Sequence, residues 1–455
     1  MTHSIAIIGG GFSGTALATA LLRAGRGKFS IHLVEPRLEL GLGIAYGGAE
    51  PWHILNVPAD RMSPWPDEPL DFLDWARAHG PGLGWPQAAS ARAETYLPRR
   101  LFGHYIQARF EESRAQALAS GGPAFIRYHD RVVGLKREAD GFRLILGNGE
   151  LAAHSVVLAT GFATPGLPFP VEGRGPRLIV DPWAPGVLDR IQRDERVLIV
   201  GTGLSMVDMI YSLNARGHRG QITAISRHGL LSRVHGASED IAPLLDEADA
   251  ARGVVHALHR FRFAIRTGQA DWRSAVDGLR PVIDRLWRAL PPAEQDRFRR
   301  HLKAYWEVHR HRMPAESADL LLERHAKGQL RIEAERVEYV SVASDFVVLN
   351  RARRFGHLIN CTPPAAPLGK AAGPLERGLL AAGLARPDRT GSGYDLAGDG
   401  TLLDASGQPV SGLVTLGPPR RGQAQETTAV PHIKPQLAAL TQLLLSRAEH
   451  RFAAE

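Results

Sequence analysis

Two copies of one pattern, a short apolar strand, a glycine-rich turn and a helix, predict an α/β protein with two Rossmann-like dinucleotide-binding domains. The first copy, SIAIIGGGFSGTALATALLRAG, runs from Ser4 to Gly25, and the second, RVLIVGTGLSMVDMIYSLNARG, from Arg196 to Gly217. Between them VVLATGFATP, from Val156 to Pro165, reads as a strand ending in Ala159-Thr160-Gly161. A chain with two such domains passes from one to the other at a turn of this kind, which makes Thr160 and Gly161 candidate contacts.

In the first copy Ser4 to Ile8 has a buried-strand pattern, and Thr15 to Ala24 reads as a helix that stops before Gly25. Gly9, Gly11 and Gly14 hold the GxGxxG positions, with Ser13 among them. The first glycine permits the tight turn, the second lets the backbone approach a pyrophosphate, and the third lets helix and strand pack closely. The helix N-terminus then presents free N–H groups to phosphate. The next strand, Ser30 to Val34, ends in Glu35, twenty-one residues beyond Gly14, where a carboxylate accepts from the hydroxyls of an adenosine ribose. The place of this fingerprint at the head of the chain, with a second one downstream, favours FAD over NAD.

Leu40 to Pro66 is rich in Gly, Pro and Trp and follows the ribose-binding strand, as functional loops do; Asn56 is its candidate FAD contact. Arg131 to Leu146 alternates as a hairpin about Ala139-Asp140-Gly141, and its first strand offers Val132 to an adenine edge. In the second copy Gly201 and Gly203 keep the first two positions, Met206 replaces the third glycine, and Ser205 joins them as a candidate contact. The loss of that glycine implies looser helix–strand packing without loss of the phosphate site. The strand after it, Gln221 to Ile225, ends in Ser226-Arg227-His228 with no acid. Either NADH or NADPH fits there, with a lean to NADPH because Arg227 can fork onto a 2′-phosphate.

Residues 236–330 are helical in pattern and rich in Arg, His and Trp. Trp306, His309, Arg310 and Arg312 fall within two helical turns, and Pro314 marks a stop. They read either as a cationic wall for an anionic or urea-like substrate or as a surface helix with snorkelling arginines. Strands resume at Arg331, His357 to Cys361 closes the second domain, and Thr362 to Pro367 crosses back. Gly412 to Gly417 is a last strand, and Thr427 or Thr428 is placed to cap a helix starting near Pro431. The N-terminus of that helix would face the pyrimidine end of a flavin. The expected domains are 1–185, 186–362 with a helical insertion near 236–330, and 363–455.

Composition narrows the class. With 44% apolar and 22% charged residues the 455-residue chain is an ordinary globular protein. Its net charge is +8, yet only six of the 55 basic residues are Lys and no basic stripe carries interleaved aromatics, so no nucleic-acid partner is expected. One cysteine, Cys361, excludes an intrachain disulfide, a CxxC redox pair and a cysteine-based zinc site, and no metal is expected. No apolar run suits a membrane span, and the apolar stretch from Ser4 to Leu22 lacks the basic start of a leader, so a cytoplasmic protein with a small-molecule substrate is expected. Two nucleotide sites without redox cysteines leave a flavin reduced by a nicotinamide and reoxidised by oxygen or by another acceptor.

The words GGGFSG, GIAY, ILNVPADRMS, LPRRLFGHY, ISRHGLLSR, YWEVHRHR, INCTP and GPPRRG with ETTAVP span the chain from about residue 5 to 437. On them the chain resembles the bacterial FAD/NAD(P)-binding proteins whose characterised relatives include FAD-dependent urate hydroxylase and an amine N-oxygenase. The resemblance implies an FAD-binding part built from both chain ends, an inserted NAD(P)-binding part with a helical excursion, and a flavin monooxygenase that activates molecular oxygen at the flavin C4a. It carries Gly417 over as a backbone contact to FAD. Two positions depart from related flavoproteins: Pro418 stands where many have an aspartate for the ribityl chain, and Thr362 is followed by Pro363 where they often have glycine. Urate is the first substrate expected, and N-hydroxylation of a small amine or amino acid the second. A flavin reductase without oxygenation, and a non-catalytic nucleotide sensor, are the readings from other classes.

Overall fold

The computed structural model describes residues 3–25, 29–162, 165–364, 368–369, 372–424 and 426–454, so the crossing expected at Thr362 to Pro367 lies partly outside the described residues. The chain forms two compact units, Met1–Thr164 with Pro364–Glu455, and Pro165–Pro363.

The first unit begins with β1 (His3–Ile8), α1 (Phe12–Ala24), β2 (Phe29–Val34) and a one-turn helix α2 (Gly43–Gly47). Next come α3 (Asp71–His79), α4 (Arg99–Ala119) and β3 (Ala124–Tyr128). A meander of β4 (Val132–Glu138), β5 (Gly141–Leu146) and β6 (Gly149–Ala153) leads into β7 (Ser155–Leu158). The second unit holds β8 (Val171–Glu172), β9 (Leu178–Ile179), β10 (Val197–Val200), α5 (Leu204–Ala215) and β11 (Ile222–Ser226). Seven helices follow: α6 (Glu247–Ala251), α7 (Val254–Arg266), α8 (Trp272–Gly278), α9 (Ile283–Ala289), α10 (Pro292–His301), α11 (Lys303–Arg310) and α12 (Ala315–Ala326). The unit closes with β12 (Leu330–Ala334), β13 (Val340–Val342), β14 (Val347–Leu349), β15 (Arg353–Phe355) and β16 (His357–Asn360). The chain returns to the first unit with α13 (Pro374–Ala381), β17 (Thr401–Leu403), β18 (Pro409–Thr415) and α14 (Val430–Ala454).

In the first unit the main sheet runs β17-β18-β7-β1-β2-β3, with β1 parallel to both β2 and β7. Alternation along the strands builds the core on both faces. Ile5 and Ile7 of β1 join Leu17 and Leu21 of α1 and Leu440 and Leu444 of α14, whereas Ala6 and Ile8 join Leu144 of the meander and Leu379 of α13. The second unit has its own parallel sheet, β12-β11-β10-β16-β9, with the seven helices inserted between β11 and β12. It begins at Pro165 rather than near residue 186 because β8 pairs with β13 and β9 with β16. Met206, in the third-glycine position of α5, is fully buried in the core of this unit.

Two histidines at the N-terminal edge of the second sheet are buried, His357 at 1% and His218 at 3% exposure. Glu195 links them: its carboxylate meets His357 Nδ1 at 2.9 Å and Arg177 at 2.6 Å, and its carbonyl accepts from His218 Nε2 at 3.0 Å. Burial lowers the proton affinity of both rings, and Nδ1 of His218 is buried with no acceptor for a second proton. A lowered folded-state pKa means that protons bind the unfolded chain more readily. Stability is therefore full above about pH 6.5 and declines as pH falls below it. Denaturant midpoints measured downward from neutral pH should show this loss, and a flat profile to pH 5 would contradict the assignment.

Candidate functional site

A cavity of about 500 Å³ in the first unit gathers most of the residues expected to meet a dinucleotide. Its floor is the turn between β1 and α1. Gly9 has φ +105°, its N–H bonds to the carbonyl of Val34 at 2.9 Å, and a Cβ there would lie 2.4 Å from the Ala159 carbonyl oxygen. Gly11 caps α1, and a Cβ on it would meet only Gly43, at 3.4 Å. Gly11, Phe12 and Ser13 line the cavity, so the first turn of α1, whose N–H groups have no intrahelical acceptor, opens onto it. Gly14 is outside the lining. A Cβ there would stand 1.9 Å from the Gly9 carbonyl oxygen, which is the close helix–strand approach expected of the third glycine.

Glu35 lies at the end of β2 and lines the cavity with Pro36 and Arg37. Backbone N–H groups fix its carboxylate on both oxygens, Gly10 at 2.8 Å and Arg37 at 3.0 Å, and each oxygen keeps a lone pair for a ribose hydroxyl. Arg127 of β3 holds the loop beyond by donating to the carbonyls of Arg37 at 2.5 Å and Leu38 at 2.6 Å. Val132 is part of the same wall, with Asp130 and Arg131, and Thr160 and Gly161 form its neighbour.

The wall also contains residues that the sequence reading did not single out. Gly373 to Glu376 bring in the N-terminus of α13. Its Gly-Pro-Leu-Glu start is a legible helix signal, but its destination is not. Leu42 to Tyr46 bring in α2. Tyr46 packs on Phe102 at 4.8 Å between ring centres and on Phe12 at 6.1 Å, and burial pushes its phenol well above the usual range. Thr428, which was expected to meet FAD, completes the enclosure with Pro418 and Ile433.

Besides Gly14, three expected FAD residues, Asn56, Gly417 and Thr427, do not line this cavity. Asn56 lies on the segment that bridges to Pro98, where Leu55 N–H bonds the Leu97 carbonyl at 2.9 Å. Thr427 is fully buried and does not cap α14, because its hydroxyl donates to the Gly417 carbonyl at 2.7 Å. Gln436 joins the two, accepting from Gly417 N–H at 3.1 Å and donating to the Thr427 hydroxyl at 3.0 Å. Gly417 and Thr427 thus hold the segments that carry Pro418 and Thr428 into the wall.

In the second unit Gly201 repeats the geometry of Gly9, with φ +111° and a would-be Cβ 2.3 Å from the Cys361 carbonyl oxygen. Gly203 caps α5 and faces open space, and Ser205 is half-buried in the first turn. Thr202 draws the following turn inward, its hydroxyl meeting the Leu230 carbonyl at 2.6 Å and the Ser226 hydroxyl at 2.9 Å. Arg227 is exposed at the end of β11.

The expected substrate wall is different from its sequence reading. α11 ends at Arg310, so Arg312 lies beyond the helix and shares no helical face with His309. Arg312 is 2% exposed and pairs with Asp277 of α8. Trp306 packs on a small core formed by α6, α9 and the segments beside them, His309 bonds the Tyr305 carbonyl, and Arg310 is buried. The two arginines are buried and Trp306 and His309 are half-buried, so the four do not form an open wall.

Among the described residues no group of three His, Cys, Asp or Glu side chains could hold a metal, and no helix is long and apolar enough to cross a membrane. Residues 6–163 match a family model described as FAD-NAD(P)-binding. No curated protein matches the sequence. Among solved structures the chain is similar to ornithine N-hydroxylase from Kutzneria sp. 744, solved with reduced FAD, NADP+ and L-ornithine, at 14% identity and TM-score 0.64, covering 98% of this chain and 100% of that one. L-lysine 6-monooxygenase from Pseudomonas syringae matches at 16% identity and TM-score 0.64, with 98% and 100% covered. Thioredoxin reductase from Lactococcus lactis matches at 11% identity and TM-score 0.51, with 99% and 100% covered. At these identities the likeness is one of fold: a mixed α/β chain with two Rossmann-type dinucleotide-binding sheets.

Proposed function

We propose that the chain is an FAD-dependent monooxygenase that takes electrons from NADPH or NADH and hydroxylates the nitrogen of a small amine or amino acid. The observation that carries this reading is the pairing of two glycine turns, each with a helix N-terminus beside it, in a chain without a redox dithiol. The single cysteine is buried in the second unit, and burial raises its thiol well above the usual range. That separates the chain from dithiol reductases of similar fold and leaves the amine hydroxylases as the relatives whose chemistry its residues can serve.

The first-unit cavity fits FAD. The Gly9–Ser13 turn leaves room where a pyrophosphate meets the N-terminus of α1, Glu35 is held as a ribose acceptor, and Val132 borders the adenine end. Leu42–Tyr46 and Thr428 would then hold the flavin end. Bound FAD supplies a hydride acceptor and, once reduced, the capacity to activate oxygen; the protein's share is to orient it and to exclude water. Gly201 and Gly203 would give a nicotinamide nucleotide the same kind of turn, and Arg227 at the end of β11 would meet its ribose. Arg227→Ala should weaken NADPH more than NADH, by about 1.5–3 kcal/mol for one charge-assisted bond, in a comparison of KM values. Equal loss for both would make Arg227 a surface residue.

Urate, the first substrate expected, draws no support from the structures compared, and the arginines credited with binding it are internal. The test is oxygen uptake by the purified protein with NADPH or NADH over a panel of amino acids, diamines and urate. Uptake stimulated by an amine, with a hydroxylamine formed, is expected. Stimulation by urate, or none by any amine with fast reduction of an added electron acceptor, would overturn the proposal in favour of urate hydroxylation or of a reductase.

A further inference from the structure

We infer that the helical insertion of the second unit supplies an aromatic shelf, Tyr305 of α11 with His228 beside it, for the purine ring of the nicotinamide nucleotide. The inference rests on the proposal that this unit binds NADPH or NADH. It concerns a different part of the nucleotide from the 2′-phosphate that Arg227 would meet.

The shelf starts from the sheet. β10, β11 and β12 are parallel neighbours, so the Gly201–Gly203 turn after β10 and the turn after β11 lie at one carboxyl end, where α/β sheets bind their ligands. The second turn is tight: Gly229 N–H meets the Ser226 carbonyl at 3.3 Å and the Ser226 hydroxyl at 3.1 Å, with Gly229 at φ +60°. Arg227 and His228 are its two middle residues, and both are exposed. Thr202, between the two glycines, ties the turns together through the Ser226 hydroxyl and the Leu230 carbonyl.

The chain beyond this turn draws in α11. Arg233 N–H bonds the Val308 carbonyl at 2.8 Å, Met313 N–H bonds the Arg233 carbonyl at 2.9 Å, and His235 N–H bonds the Met313 carbonyl at 2.9 Å. These bonds fix the helix against the loop and set the Tyr305 and His228 rings 5.8 Å apart, centre to centre, inclined at 38°. Trp306, the next residue, packs on the small core with α6 and α9, whereas Tyr305 stays 47% exposed. An open aromatic face beside a phosphate-binding turn suits a base, since every base has a π-face and stacking needs no hydrogen-bond partner. The end of the second strand of a Rossmann unit meets the adenosine ribose, so the base that the shelf would take is the adenine and not the nicotinamide.

The experiment is calorimetric titration of the full-length protein with NADP+ and with NAD+, for the parent and for Tyr305→Leu and Tyr305→Phe. Tyr305→Leu removes the π-face but keeps an apolar side chain at an exposed position, and each nucleotide that the parent binds should bind it about tenfold more weakly. Tyr305→Phe keeps the face and should bind as the parent does. Parent affinities in Tyr305→Leu overturn the shelf, and so does an equal loss in Tyr305→Phe, which would assign the effect to the hydroxyl. Loss for NADP+ with NAD+ unchanged would mark a 2′-phosphate contact and overturn the purine assignment. If the Tyr305 variants do not fold, His228→Leu decides, with a loss for the same nucleotides expected and parent affinities overturning the shelf. A parent protein that binds neither nucleotide overturns the nicotinamide-nucleotide reading itself, and the shelf with it.

Discussion

Gly11→Val yields a folded protein that purifies without flavin. Gly11 has φ −70° and extended ψ, a conformation open to any residue, and a Cβ there would touch only Gly43. The backbone therefore tolerates the change, but the valine methyl groups occupy the space over the α1 N-terminus where a pyrophosphate would lie. Visible absorbance per mole of protein reads the flavin, and circular dichroism reads the fold. Gly14→Val has the opposite outcome. Its Cβ would lie 1.9 Å from the Gly9 carbonyl oxygen, so α1 cannot seat on β1 and the variant should be insoluble or unfolded. A Gly11→Val protein with stoichiometric flavin would refute the assignment of the first turn.

Asp277→Ala is the second large effect, and it acts on stability. The substitution leaves Arg312, whose side chain is 1% exposed, as a buried cation without its carboxylate, and it removes one partner of Arg280. Breaking a buried pair from one side costs about 3–5 kcal/mol, and the partial exposure of Asp277 places the expectation near the lower end. Urea unfolding should show a drop of roughly that size in the second unit's transition. A loss below about 1 kcal/mol would mean that the pair is solvated.

The parts of the site that were legible in the sequence are those whose function is set within a few residues. Gly9, Gly11 and Gly14 act through backbone conformation and close approach, and their spacing alone states where strand, turn and helix must lie. Glu35 was legible because the unit's length fixes the distance from turn to second strand. Most of the opposite wall was not, Thr428 apart, since α13 and Ile433 come from more than 200 residues downstream and no local pattern records which sheet they return to. Thr427 was misread for a local reason: a threonine before a helix reads as a cap, but its hydroxyl is taken by the Gly417 carbonyl ten residues upstream. The Arg310–Arg312 segment was misread because composition shows its charge and not its partner. Asp277 is 35 residues away, and the helix that would have aligned His309 with Arg312 stops two residues short.

The central claim, that the first unit holds FAD for reduction by a nicotinamide nucleotide, is tested most directly by anaerobic titration of the purified protein. One flavin per chain should be present or taken up from added FAD, and its visible absorbance should bleach with one equivalent of NADPH or NADH. A protein that binds no FAD, or whose bound flavin stays oxidised with both nucleotides, would contradict it.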